Sequence, residues 1–204
     1  MKPIKIGIGY GWASEGVYCD DRWQELKGFC KSAASQGRNS ALASVRRPVS
    51  TDDDELEEMP DDRIPNVNVS RLRASVGRFT WDSIKEHIDD SDVLVFDLTP
   101  TRTDAKGQPY LTSNVWLEIG YALARPEKRV FLVHADEKGH TSLPSDLNGL
   151  IVGCLPHGDI PQNDISLRSS LAGEVSRLIR ARLGDTPARV DVSSKSPQLG
   201  PPLA

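Results

Sequence analysis

The chain lacks the features that identify many common classes of protein. Its 204 residues include only three cysteines, Cys19, Cys30 and Cys154, without a CxxC pair or a matching histidine pair. The pattern therefore indicates neither a disulfide framework nor a zinc site, and we expect no metal. No GxGxxG spacing, P-loop, Ser-His-Asp or Cys-His arrangement is present either. The function must be sought in less familiar motifs.

Charge and hydropathy exclude two further classes of partner. The formal net charge is −4, which gives no broad electrostatic reason to bind nucleic acid or an anionic membrane. The start, MKPIKIGIGYGW, has no signal-peptide apolar region, and it is far from the roughly 20 apolar residues of a membrane span. We therefore expect a cytoplasmic protein without nucleic-acid or membrane partners.

Hydrophobic periodicity predicts alternating strands and helices. The predicted strands are Ile4–Tyr10, Ala41–Val45, Val93–Leu98, Arg129–His134 and Leu150–Leu155. The predicted helices are Asp20–Ser35, Phe79–Ile88, Asn114–Arg125 and Leu167–Leu183. This alternation predicts an α/β flavodoxin-like three-layer sandwich with a parallel sheet of about five strands. Such sheets bind ligands at the carboxyl ends of their strands, which places the site at the loops after Tyr10 and Leu98.

The composition predicts one domain and one tail. Residues 1–184 contain all the predicted elements, and 51–62 form a strongly acidic insertion, TDDDELEEMPDD, that cannot supply a core face. Residues 185–204 are dominated by Pro, Ser and Asp, a composition typical of a flexible segment.

The helix predicted at Asn114–Arg125 holds one acid, Glu118, in a largely apolar sequence. Helical projection places Asn114, Glu118, Tyr121 and Arg125 on one polar stripe. Two interpretations are open. In the first, Glu118 is structural: it lies near a helix N-terminus, which favours negative charge, and pairs with Arg102 or Arg125. In the second, it faces a ligand cavity.

The segments SDVLVFDLT (91–99) and SNVWLEIGYALA (113–124) together resemble the strand and helix pair of bacterial TIR-like proteins and of the nucleoside 2-deoxyribosyltransferase-like superfamily. The resemblance implies that Glu118 attacks or stabilises the sugar carbon of an N-glycosidic bond. Deoxyribosyltransferases usually carry an Asp and a Gly-rich step before this helix, whereas this chain has Leu111, Thr112 and Ser113. Asn114 fits the TIR-like branch better.

The leaving group separates two classes of substrate. Nicotinamide leaves NAD+ as a neutral molecule, so an anion that stabilises the oxocarbenium-like sugar is sufficient. A purine or pyrimidine leaves less readily and requires a second acid, for which Asp97 at a strand end is the candidate. The alternative for Asp97 is an Asx-type bond that organises the next turn.

The remaining predicted site residues lie in the two loops. Gly9, Tyr10, Trp12 and Ser14 follow or end the first strand, where glycine permits close approach of a ribose or phosphate and Trp12 is suited to stack on a base. Arg102 is suited to bind a phosphate. Asp97 and Asn114 are predicted to orient the ribose.

Taken together, these patterns predict a nucleotide-binding N-glycosidase that resembles NAD+ glycohydrolases. The nucleotide is its substrate, and no separate cofactor is expected. The alternatives are a nucleotide sensor or signalling and interaction module without turnover, and a deoxyribosyltransferase-like N-glycosidase. Assembly into a homo-oligomer is compatible with each of them.

Overall fold

The computed structural model describes residues 1–10, 18–45, 64–72, 80–100, 102–103, 105–106, 109–111, 113–135, 151–155 and 165–184. Their secondary-structure elements, in chain order, are β1 Ile4–Tyr10, α1 Tyr18–Val45, β2 Val67–Arg71, α2 Thr80–Asp90, β3 Val93–Asp97, β4 Arg102–Thr103, β5 Pro109–Tyr110, α3 Ser113–Leu123, β6 Arg129–His134, β7 Ile151–Cys154 and α4 Ile165–Leu183. Within these ranges, no helix combines the length and apolar character needed to cross a membrane.

Five strands form a parallel sheet in the order β2-β1-β3-β6-β7. This is the strand order of flavodoxin-like folds, and it confirms the predicted fold class. The chain moves from β1 to one edge of the sheet at β2, and then returns to the other side of β1 at β3. The connections after β1 and β3 therefore diverge, which makes the carboxyl ends of these two strands the topological switch point.

Two hydrophobic cores cover the two faces of the sheet. One joins α1 and α4 to strand residues that include Ile8, Val95 and Val133. The other joins α2 and α3 to the alternate positions, including Phe96 and Leu132. Because successive side chains of a strand point to opposite faces, the central strands β3 and β6 supply both cores.

One predicted strand is wrong. Ala41–Val45 is the last part of α1, which continues well beyond the predicted end at Ser35, and Ala41 is fully buried. The strand at that edge of the sheet is instead β2, Val67–Arg71. Because β2 is an edge strand, its exposed positions carry Asn68 and Ser70, and its apolar pattern is too short to be recognised.

The acidic insertion at 51–62 and the tail at 185–204 lie outside the described residues and stay predictions.

Two glycines of α1 provide a matched test of the packing between α1 and α4. A Cβ on Gly37 would overlap the Ala172 carbonyl oxygen and lie 2.9 Å from Val175 Cβ, whereas a Cβ on Gly28 meets nothing within 4 Å. We expect Gly37→Ala to lower the free energy of unfolding by roughly 1–3 kcal/mol through overpacking. Gly28→Ala should raise it by roughly 0.5–1 kcal/mol, since alanine is the better helix former.

Urea unfolding of both variants would measure the two changes. Equal effects of the two substitutions would contradict the close approach of α1 and α4.

Candidate functional site

Glu118 lies on α3 above the carboxyl ends of β1 and β3. Its Oε2 atom would be 3.0 Å from a Cβ placed on Gly9, the penultimate residue of β1. The same Cβ would lie 2.5 Å from Phe96 Cδ1 of β3, the strand residue that pairs with Gly9. Glycine is therefore needed at position 9 because the carboxylate and the aromatic ring occupy the space of a side chain. This brings Glu118 and Gly9, two predicted site residues, together at the switch point.

The surroundings of Glu118 make its charge costly. The residue is only 8% exposed. Among the described residues it has no hydrogen-bond donor and no cationic partner. Burial raises the pKa of Glu118 to about 7, because the ionised form loses its hydration. At neutral pH the carboxylate therefore divides between its two protonation states.

The structural explanations for Glu118 find little support. Ser113 begins α3, so Glu118 lies beyond the first turn, where the favourable effect of the helix dipole has mostly decayed. Arg125 binds Asp89 and Tyr121 instead. Arg102 belongs to β4, and its side chain is outside the described part of the structure.

Asp97, the other predicted acid, is held in a buried ion pair. Arg22 of α1 donates from Nε to Oδ2 at 2.8 Å and from its terminal Nη2 to Oδ1 at 3.2 Å. The Thr99 amide donates to Oδ1 at 3.1 Å, and the Thr99 hydroxyl does so at 2.5 Å. The bond from the Thr99 amide is the Asx-type contact considered from the sequence.

Asp97 and Glu118 do not converge on one cavity. Phe96 packs in the core shared with α3, so the next residue, Asp97, points to the opposite face, where Arg22 lies. Tyr10 points to that opposite face too: its ring stacks on Trp23 with 6.5 Å between centroids, and the Arg71 guanidinium lies 5.5 Å from its centre. A ribose contact for Asp97 or Tyr10 stays a prediction.

Of the other predicted site residues, Asn114 lies near Glu118, whereas two of the loop residues cannot be described. Asn114 lies one helical turn before Glu118 and is exposed, towards the carboxyl edge of the sheet. Trp12 and Ser14 lie outside the described residues. The described part of the chain contains no group of three or more His, Cys, Asp or Glu side chains that could hold a metal ion.

The structure adds a residue that the sequence did not predict. Arg22 is charged, and yet it is only 1% exposed. Burial lowers its pKa, but the hydrogen bonds and charges of Asp97 and Glu25 outweigh that effect and raise it. In the sequence DDRWQEL the residue lies among acids and resembles part of a solvated helix face. Its partner Asp97 is 75 residues away along the chain, so no local pattern reveals the pair.

These features define a class of protein: a flavodoxin-like α/β domain with a buried carboxylate at the carboxyl edge of its sheet that has no partner among the described residues. The family model of the CAP12/Pycsar effector protein TIR domain matches residues 51–155, just over half of the chain. The chain belongs to this TIR-domain family, and the resemblance to bacterial TIR-like proteins is confirmed. The matched segment includes Asp97, Asn114 and Glu118.

Solved structures similar to this chain are more distant. A 2-desoxiribosyltransferase from Leishmania mexicana is 17% identical, with a TM-score of 0.37, and the match covers 83% of this chain and 97% of the other. A flavodoxin-like domain from Synechococcus sp. is 14% identical, with a TM-score of 0.37 and coverages of 86% and 99%. A diflavin flavoprotein A3 from Nostoc sp. is 14% identical, with a TM-score of 0.38 and coverages of 91% and 97%. These scores carry no argument about function. No curated protein matches the chain.

The raised pKa of Glu118 predicts a stability effect that depends on pH. Between the ordinary glutamate value of 4.5 and about 7, the folded state retains a proton that the unfolded state has released, so stability falls as pH rises. Glu118→Gln has no carboxyl group to ionise at this position, so it should not lose stability as pH rises in this way. The variant should be more stable than the wild type at pH 8 by up to about 3 kcal/mol, and the gain should shrink towards pH 5.

Urea unfolding at the two pH values would measure this difference, with the exposed Glu127→Gln as the matched control. A loss of stability at pH 8 in Glu118→Gln would show that the carboxylate has a stabilising partner.

Proposed function

We propose that this protein cleaves the N-glycosidic bond of a nucleotide, with NAD+ as the favoured substrate and Glu118 as the catalytic carboxylate. The observation that carries the proposal is the burial of Glu118 at the switch point, against Gly9 and without a hydrogen-bonding or charged partner in the described part of the chain. A carboxylate without a partner costs stability, and groups of this kind are characteristic of functional sites. Membership of an effector TIR-domain family is consistent with such an activity.

The proposed reaction begins with loss of the base. The bond between C1′ of the ribose and the nicotinamide nitrogen breaks, and its electron pair neutralises the pyridinium nitrogen. Positive charge then develops on the sugar, where the Glu118 carboxylate stabilises or captures it in surroundings that are poor in water. Attack of water at C1′, with release of a proton, completes the hydrolysis. Asn114, one turn away, orients the ribose in this proposal.

The position of Asp97 favours NAD+ over ordinary nucleotides. A purine or pyrimidine leaving group needs a proton, and Asp97 was the acid that the sequence offered for this step. Both of its oxygens accept hydrogen bonds from Arg22 or Thr99, on the face of the sheet opposite to Glu118. Departure of neutral nicotinamide needs no such acid, so Glu118 alone is sufficient for it.

Release of nicotinamide from NAD+ tests the catalytic assignment. The wild type should release nicotinamide with kcat/KM rising with pH through a midpoint near 7, because only ionised Glu118 stabilises the developing cation. Glu118→Gln should lower kcat by roughly 10²-fold or more. The control Glu127→Gln should keep the wild-type rate and pH profile.

Equal nicotinamide release by the wild type and Glu118→Gln would remove Glu118 from the mechanism. Saturable binding of NAD+ by the wild type without any release would instead indicate a nucleotide sensor.

Gly9→Ala tests the close contact between β1 and Glu118. The new methyl group should displace Phe96 or the carboxylate, so kcat should fall by roughly tenfold or more. Gly7→Ala is the matched control, because its Cβ would lie 2.6 Å from Ser91 Oγ and far from Glu118. Both variants should lose stability in thermal unfolding, but only Gly9→Ala should lose kcat well beyond its loss of folded protein. Similar losses of kcat in both would contradict the special position of Gly9.

A further inference from the structure

We infer that Arg22 and Asp97 form a positioning pair for the Glu118 site: they fix the end of β3 and the segments that leave the sheet, without touching the substrate. The inference rests on the proposed function, because it assigns residues that support the same reaction. Neither residue contacts Glu118, and the pair lies on the other face of the sheet.

The pair connects four parts of the chain at the carboxyl edge of the sheet. Arg22 of α1 binds Asp97 at the end of β3, and it also donates to the Leu155 carbonyl just after β7 at 2.6 Å. Asp97 accepts two bonds from Thr99, whose hydroxyl oxygen in turn accepts a bond from the Ala135 amide just after β6 at 3.0 Å. One buried network therefore sets where the chain leaves β3, β6 and β7.

The network reaches the catalytic carboxylate through the backbone of β3. Asp97 is adjacent to Phe96, and a Cβ built on Gly9 would meet both the Phe96 ring and the Glu118 carboxylate, so these two groups lie side by side against Gly9. A shift at Asp97 moves Phe96, because neighbouring residues of a paired strand cannot move independently. The position of the Glu118 carboxylate thus depends on a contact on the opposite face.

The chemistry of the pair supports positioning rather than simple stabilisation. A buried ion pair often contributes little more to stability than well-packed apolar side chains of similar size. What apolar side chains cannot provide is direction. Here the planar guanidinium fork and the two carboxylate oxygens fix six hydrogen bonds, one of them to Glu25.

Three variants distinguish a positioning role of the pair from direct contact with the substrate and from a contribution to stability alone. Asp97→Asn removes one of the two carboxylate charges that face Arg22, and Glu25 keeps the other. The paired replacement Arg22→Met with Asp97→Leu removes both charges, but it leaves no oxygen for Thr99 and no guanidinium for Glu25. Asp82→Asn, in an exposed ion pair with Lys85, is the matched control. Nicotinamide release from NAD+ would give kcat, KM and the pH profile, and thermal unfolding would give stability.

Positioning predicts that Asp97→Asn lowers kcat by roughly tenfold or more, while KM stays within about threefold. Water admitted beside Phe96 should also move the pH midpoint below that of the wild type. The paired replacement should unfold at a higher temperature than Asp97→Asn, and yet kcat should remain at least about tenfold low. Asp82→Asn should match the wild type.

Three results would overturn the inference. Unchanged kcat in Asp97→Asn would show that the pair is dispensable. A large rise in KM with kcat and pH midpoint unchanged would show direct substrate contact. If the paired replacement recovered both the stability and the kcat of the wild type, the pair would serve stability alone. If the wild type releases no nicotinamide, the proposed function itself fails, which is a distinct result.

Discussion

The organisation of this protein depends on the cost of burying a negative charge. Two carboxylates, Asp97 and Glu118, are almost inaccessible to water at the same edge of the sheet. Asp97 receives a guanidinium, a backbone amide and a hydroxyl, so its charge is fully compensated. Glu118 receives no such partner among the described residues, and its pKa rises to about 7. The same physical penalty thus gives one acid a structural function and leaves the other available for chemistry.

The sheet keeps these two acids apart and also connects them. Alternation along β3 sends Phe96 towards α3 and Asp97 towards α1, so the hydrogen bonds of Arg22 cannot neutralise Glu118. The same strand transmits position from one face to the other, because Phe96 and Asp97 share a peptide bond. A separation of this kind allows a well-bonded network to hold a candidate site whose central group has no bonding partner in the described structure.

Contacts between distant segments complete the site. The family match begins at residue 51, yet two of the residues that shape the surroundings of Glu118 and Asp97 precede it: Gly9 on β1 and Arg22 on α1. Gly9 leaves the space that the carboxylate occupies, and Arg22 binds Asp97 on the opposite face of the sheet. The strand and helix motif therefore identifies the family, but it does not contain the whole site.

The sequence alone was sufficient for the fold class, for most elements and for the position of Glu118 on a mainly apolar helix, because periodicity and strand-end motifs are local properties. It was insufficient for the edge strand β2, whose half-exposed pattern is too short to recognise, and for the end of α1, where the local pattern predicts a strand. Only the tertiary structure decided that Asp97 and Glu118 face opposite sides of the sheet and that Arg22 binds the first of them. That outcome depends on strand register and on a contact between residues 75 positions apart, and neither is encoded in any short stretch of the chain.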